Sequence, residues 1–273
     1  MGIIDFILNL AGLLLWLNWR SLRFDPLAKR TPATLMGTLR PASPERLRRW
    51  HLLLFIAVLL LVRALLYRWI GPMFPWVAKL DLGVVILPFR SDSFPKILTF
   101  SCFSFGLALG TFYVWLLLLS LLKGPDPIHR LVKIPLGRVD DWPNGVKIVL
   151  PFLITALGWL LASWLCVWLQ VIPPSVSVSH RLWESLIIGL TSYISWMVPL
   201  YAILLLHLLS SYIYFGQHPF WNYNTMIARK ILAPLKALPL RIGRVDFAPA
   251  LAMVAIFFAG KYALIGLTRL FAH

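Results

Sequence analysis

The amino-acid sequence predicts an all-α membrane protein, a polytopic transmembrane helical bundle of about six spans with basic interfacial loops and an internal repeat. Three observations carry that prediction. The chain is 60% hydrophobic and only 13% charged, where soluble domains average roughly 45–50% and about 25%. Apolar runs of membrane-crossing length recur along it. The 26 Lys and Arg, against 10 Asp and Glu, fall mostly between those runs. A mean hydropathy of +0.80 over 273 residues is more apolar surface than one compact core can hide from water.

A helix crossing about 30 Å of hydrocarbon needs roughly 20 mostly apolar residues. The first run, 3–19, is short and either crosses with snorkelling ends or lies at the interface. It has no basic leading segment and no small-residue cleavage site, and Asp5 is its only charge, so it reads as a retained membrane segment rather than a signal peptide. The second run is 51–70. Residues 71–96 then carry Pro72, Pro75, Pro88 and Pro95 around the apolar stretch Leu82 to Leu87. A strand exposed to lipid would leave its backbone groups unsatisfied, so this stretch is expected buried against the bundle or at headgroup level. The remaining spans are 97–122, 147–171, 183–209 and 248–270. The chain is therefore one membrane domain, 1–273, made of a divergent unit 1–96 and repeat units 97–171 and 181–273, each with two spans.

The connectors set the orientation. The loops after the first, third and fifth spans hold 18 of the 26 basic residues, counting Lys147, whereas 172–182 has only Arg181. The positive-inside rule places those three loops in the cytoplasm and both termini outside, in a bacterial inner membrane with anionic headgroups as the lipid partner. Nucleic-acid binding is not expected, because the cations do not cluster on a solvated face or motif. Trp19, Trp50, Trp69, Trp142, Trp168, Trp183 and Trp221 sit near run ends, where an amphipathic ring suits the interface. Trp115, Trp159, Trp164 and Trp196 lie deeper, and each indole N–H there wants a partner.

The repeat is clearest in Gly137-Arg138-Val139-Asp140-Asp141-Trp142-Pro143 against Gly243-Arg244-Val245-Asp246-Phe247-Ala248-Pro249, each followed by an apolar span. Upstream of each lies a Pro dipeptide, Asp126-Pro127 or His218-Pro219, and a fainter copy runs from Asp25-Pro26 through Gly37 to Pro44. The copies run parallel, whereas inverted repeats typify alternating-access carriers. Gly supplies a backbone conformation that other residues reach at a cost, and Pro suits a first helical turn. Asp140 and Asp246 are expected to cap the N-termini of the following helices. Before the last span, Ile227, Ile231, Leu235 and Leu238 share one helical face within about 80°, opposite Arg229 and Lys236. That stripe predicts a helix lying in the headgroup plane over anionic lipid, kinked or ended by Pro234.

The segment Ala233-Pro234-Leu235-Lys236-Ala237-Leu238-Pro239, with Gly243-Arg244-Val245-Asp246-Phe247-Ala248-Pro249 and the span after it, resembles the signature of the YggT/YlmG membrane proteins, roughly P-L-R-R-x-x-P…G-G-x-D-x-S-P. Lys236 stands for the first Arg, Arg244 for the second Gly and Ala248 for the Ser. The resemblance is clear over 215–270, weaker over 97–171, and does not extend clearly before residue 97. It implies an integral membrane protein of a family linked to osmotic or ion tolerance, envelope organisation and cytochrome assembly, and it implies architecture more than mechanism.

No catalytic constellation is present: no phosphate-binding loop, no H-E-x-x-H and no nucleophile elbow. Neither enzymatic activity nor a resident cofactor is expected. Cys102 and Cys166 form no C-x-x-C pair, which removes a zinc or thioredoxin-like reading and leaves them as packing residues. Three polar residues interrupt the spans. Arg63 at midspan costs on the order of 2.5–3.5 kcal/mol on insertion scales, so it faces a partner or cavity, or else snorkels outward beside Arg68. Lys261 poses the same problem, with Gly260 beside it permitting a close helix approach. His207 is a candidate axial ligand for haem or pigment, or an interhelical hydrogen-bonding group. The leading functional expectation is a scaffold, assembly factor or accessory subunit of a larger membrane complex, with other membrane subunits as partners. A transport or channel role, with Arg63, Lys261 and His207 lining one pathway, is the first alternative. A haem- or pigment-associated subunit is the second.

Overall fold

The computed structural model describes residues 2–21, 49–71, 77–89, 93–122, 129–174, 177–213, 216, 218–237, 241–242 and 245–272. Much of the first basic loop, Asp25-Pro26, Gly37, Pro44, Pro72, Pro75, Asp126-Pro127, Leu238, Pro239, Gly243 and Arg244 lie outside the described residues. Of Asp246 only the backbone is described, and of Lys236 likewise.

The chain is an all-α polytopic bundle. Its helices are α1 (Gly2–Ser21), α2 (Arg49–Ile70), α3 (Phe94–Leu121), α4 (His129–Leu136), α5 (Asn144–Trp168), α6 (Val178–Thr191), α7 (Met197–Tyr212), α8 (Pro219–Ile231) and α9 (Ala248–Ala272). Among the described residues six stretches are long and apolar enough to cross a bilayer: Gly2–Ser21, Trp50–Ile70, Phe94–Leu121, Asn144–Trp168, Val178–Tyr212 and Ala248–Phe271. The first apolar run thus forms a helix of 20 residues, about 30 Å long at 1.5 Å per residue.

The chain forms two compact units. One comprises Met1–Ala78 and Phe89–Leu109; the other comprises Lys79–Pro88 and Gly110–His273. In the first, α1 packs along α2. A β-carbon on Gly12 would fall 2.6 Å from the Phe105 ring, so glycine here lets α1 approach the N-terminal part of α3. In the second, α5 packs on α6, and α7 packs on both α8 and α9. Gly189 permits the α5–α6 approach, its missing β-carbon lying 2.9–3.0 Å from Phe152 and Ala156.

The proline-rich stretch holds a small hairpin, β1 (Ala78–Asp81) and β2 (Ile86–Phe89). Leu82 N–H closes the turn on the Val85 carbonyl at 2.9 Å. Gly83 adopts a φ of +85° and donates its N–H to Asp81 Oδ1 at 2.7 Å. Side chains alternate across the strands, so Ala78, Leu80, Leu87 and Phe89 are buried and their neighbours are not. Of the apolar stretch Leu82 to Leu87 itself, only Leu87 is buried, and Ile86 is 58% exposed.

Two departures from the sequence reading matter for function. The fifth run is not one straight helix: α6 ends at Thr191, a 3₁₀ turn occupies Ile194–Trp196, and α7 starts at Met197. Thr191, Ser192 and Ser195 each turn their hydroxyls back onto the carbonyl three residues earlier, at 2.6–2.7 Å, a contact that competes with the helical ladder. The second departure concerns the apolar stripe before α9. Pro234 does end the helix, α8 stopping at Ile231 with a 3₁₀ turn over Ala233–Ala237. The stripe, however, faces protein rather than lipid. Ile227 packs with Ile203 of α7, and Ile231 and Leu235 pack against the cluster of Leu232, Leu204 of α7 and Ala252 of α9.

The segments preceding α5 and α9 share an order of elements. Each has an apolar helix, a short helix whose apolar face folds back onto it, a 3₁₀ turn, and the next span. In the first case Val132 and Leu136 of α4 pack on Leu116 and Leu117 of α3. In the second Tyr223 and Ile227 of α8 pack on Ile203 of α7.

Candidate functional site

Among the described residues, polar chemistry inside this apolar chain concentrates at three places. The first is built on α1, α2 and the N-terminal part of α3. Arg63 is 1% exposed. Its Nη1 donates to Asn9 Oδ1 at 2.8 Å, and its Nη2 donates to Ser104 Oγ at 2.8 Å and to the Asp5 carboxylate. Asn9 Nδ2 donates to the same Ser104 hydroxyl at 3.1 Å, and Tyr67 O–H donates to Asp5. The guanidinium carbon lies 5.6 Å from the Tyr67 ring centre and 5.3 Å from that of Phe100. Asp5 and Asn9 stand one helical turn apart on α1, as do Arg63 and Tyr67 on α2, so each pair presents two polar groups to one neighbour. A guanidinium in hydrocarbon thus gains a counter-ion, two neutral acceptors and two ring faces. Arg63 does not snorkel; it ties α1 and α3 to α2.

The second place lies where the α4–α5 link meets the end of α3. Lys147 is fully buried, and its Nζ donates to Ser120 Oγ at 2.9 Å and to the Asp140 carbonyl at 2.6 Å. Ser120 O–H donates to Asp140 Oδ1 at 2.5 Å, and His129 Nε2 lies 3.2 Å from Asp140 Oδ2. Asp140 is 2% exposed, so it is no helix cap: the residue capping α5 is Pro143, and no side chain bonds there. Gly137, at φ +60°, turns the chain so that the following 3₁₀ segment carries Asp140 inward. Lys147, counted among the loop cations in sequence, is instead a core residue of α5. On the outer side Lys133 Nζ pairs with Asp141 at 2.9 Å, and that hydrogen bond holds the Lys133 ammonium above its ordinary pKa.

Ser120 beside Lys147 has the atoms of a serine–lysine hydrolytic pair, but the bonding argues against that chemistry. The Ser120 proton is directed at Asp140, its oxygen receives Lys147, and its side chain is wholly enclosed. A nucleophile needs a free lone pair aimed at substrate and a path for it to arrive. The arrangement fixes the α3 end against the start of α5.

The third place is the break between α6 and α7. Pro199 has no N–H to return to the Ser195 carbonyl four residues earlier. Trp115 Nε1 of α3 fills that vacancy at 2.9 Å. Reciprocally, Trp196 Nε1 donates to the Val114 carbonyl at 3.0 Å, and Tyr193 O–H donates to the Ile148 carbonyl at 2.8 Å. Two of the deep tryptophans thereby find the partners their N–H groups require. Trp164 is 76% exposed, near the end of α5 rather than deep within the protein.

The remaining expected site residues fall elsewhere. Pro249 lies buried in the first turn of α9, and Asp246 lies in the short strand Val245–Asp246, paired antiparallel to Arg241–Ile242. Lys261 is exposed on α9, and Gly260 beside it meets Met197 of α7. His207 is half-buried on α7. Arg63 takes its partners from its own unit, and none of these contacts joins it to His207 or Lys261. Cys166 is buried and Cys102 exposed. A cleft of about 510 Å³ on α8 is lined by Asn222, Thr225, Met226, Arg229, Lys230 and Ala233 and includes none of the three intramembrane polar candidates. Among the described residues no group of three or more His, Cys, Asp or Glu could hold a metal ion. Searches against family models, curated proteins and solved structures found no match for this chain.

Proposed function

We propose that this multi-pass membrane protein works by contact, as a non-enzymatic scaffold, assembly factor or accessory subunit of a larger membrane complex. The observation that carries the reading is how Arg63 and Lys147 are used. Each is buried and bonded to neighbours in its own unit, as a structural tie would be, rather than facing a water-filled path. The exposed surface of the spans is apolar and aromatic, as lipid or a neighbouring subunit requires. In the same reading the basic connectors lie on the cytoplasmic side of a bacterial inner membrane. The matching order of elements before α5 and α9 reflects a duplicated two-span unit, and the resemblance of 215–270 to the YggT/YlmG proteins fits that architecture. The test is affinity isolation of the tagged full chain from its own membrane in mild detergent, followed by mass spectrometry. Stoichiometric co-purification of membrane subunits is expected; a monodisperse, partner-free monomer counts against the reading.

One observation favours transport as the second reading. A membrane helix interrupted by a 3₁₀ turn is a feature of many transporter sites. Here the carbonyl freed at Ser195 is taken up by Trp115, which ranks that reading below the first. Haem or pigment binding through His207 stands third, and visible absorbance of the purified protein tests it.

A further inference from the structure

We propose that the exposed face of α9 around Lys261 docks a transmembrane segment of another protein that carries an aspartate or glutamate near the middle of the bilayer. The inference rests on the contact reading and names the surface and the chemistry of the partner.

Lys261 sits close to the centre of the span Ala248–Phe271. At 1.5 Å rise per residue it is within about 3 Å of the midpoint. The half-thickness of the hydrocarbon is about 15 Å, and a four-carbon stem of about 6 Å leaves the ammonium far short of the headgroups. Arg63, inside the span Trp50–Ile70, meets the same difficulty by burial and bonding. Lys261 does not: it is exposed, and none of the described residues forms a hydrogen bond or ion pair with it. An ammonium left in lipid at that depth is costly, and a carboxylate beside it in low dielectric removes the cost.

The face around it is shaped for another helix. Val254, Phe257, Phe258, Lys261 and Ile265 fall within about 100° of one another on a helical wheel, and all are exposed. Phe258 stacks on Tyr262 with ring centres 6.2 Å apart, giving a flat aromatic flank. The opposite face is already used, by Met197 against Gly260 and by Leu204 against Ala252.

A second copy of this chain cannot supply the counter-charge. Of its ten acidic residues, only Asp5 and Glu184 fall within the apolar runs. Asp5 is bound to Arg63 and Tyr67, and Glu184 pairs with His180 at 3.2 Å. Lipid phosphates lie at the ends of the span, not at its centre. The occupant is therefore a different polypeptide.

The first test places a photo-crosslinking benzoylphenylalanine at Phe258 of the full chain in its native membrane, with Leu161 on the exposed face of α5 as the comparison site. The expected result is an adduct at Phe258 with one polypeptide whose apolar segment carries Asp or Glu, falling at least tenfold in Lys261→Met and retained in Lys261→Arg. Adducts at Phe258 with lipid or a second copy only, or adducts indifferent to Lys261→Met, overturn the proposal. Partner adducts from Leu161 with none from Phe258 sink this surface and leave the contact reading standing; lipid adducts alone at both positions sink both. The second test uses a defined probe, an oligo-leucine helix with one central Asp, compared with its all-leucine twin by energy transfer in phosphatidylcholine vesicles. At least tenfold greater association of the Asp helix, lost in Lys261→Met, is expected, and equal association of the two helices overturns the proposal.

Discussion

Replacing Trp115 by Phe should expose the cost of the helix break. In the wild type the Ser195 carbonyl has lost its helical donor to Pro199, and the Trp115 indole N–H is its replacement at 2.9 Å. Interhelical hydrogen bonds in membranes average roughly 0.6 kcal/mol because the unfolded state finds substitutes. An acceptor left unsatisfied in a buried site costs about 1–3 kcal/mol. Since Trp115 is half-buried, the expected loss is about 1–2 kcal/mol from the carbonyl, plus a smaller packing loss from the truncated ring. Pro199→Ala restores an N–H four residues beyond Ser195. In that background Trp115→Phe should lose only the packing part, so the two changes should couple by about 1 kcal/mol or more. Trp196→Phe is the control, because Val114 lies inside α3, whose own ladder supplies that carbonyl with a donor. The assay is SDS-titrated unfolding in dodecyl maltoside micelles, read by circular dichroism. Equal cost of Trp115→Phe in both backgrounds would refute the assignment of Trp115 as surrogate donor.

Other substitutions probe the two charge clusters and the close approaches. Breaking a fully buried ion pair costs about 3–5 kcal/mol; Asp5 is 22% exposed, and Arg63 keeps Asn9 and Ser104, so Asp5→Asn should cost about 2 kcal/mol in the same unfolding assay. Lys147→Met removes the donor to Ser120 and to the Asp140 carbonyl and should destabilise by about 2–4 kcal/mol, whereas Lys133→Met, on the exposed outer side, should leave the unfolding midpoint unchanged. Gly189→Ala puts a β-carbon 3.0 Å from the Phe152 carbonyl, which is backbone and cannot rotate away, and should cost about 1–3 kcal/mol. Ser177→Ala removes the acceptor for His180 N–H at the start of α6; a loss of about 1 kcal/mol, seen as faster amide exchange in the first turn, is expected.

Apolar run length made six spans legible, because the bilayer sets a length that sequence can be measured against. It did not reveal the break at 192–196. Periodicity is blind to hydroxyls that bond backward, although Thr191, Ser192, Ser195 and Pro199 in nine residues were the signal. The stripe Ile227, Ile231 and Leu235 is amphipathic but covered by protein, which its sequence cannot show, since an apolar face has the same pattern whether α7 or an acyl chain covers it. Of the sites, Arg63 was visible as an energetic anomaly, but its partners were not, because they come from two other helices. The i, i+4 spacings of Asp5 with Asn9 and of Arg63 with Tyr67 could have suggested the match. Asp140 looked like a cap because it precedes a helix; the inward turn at Gly137 gives it Ser120 and His129 instead.

Flux through the purified full chain in proteoliposomes tests most directly the claim that its intramembrane charges tie helices together. Potassium- and proton-driven fluorescence changes should match those of protein-free vesicles, in the wild type and in Lys261→Met alike. Ion movement well above that baseline, abolished by Arg63→Met or Lys147→Met in protein that remains folded, would contradict the account.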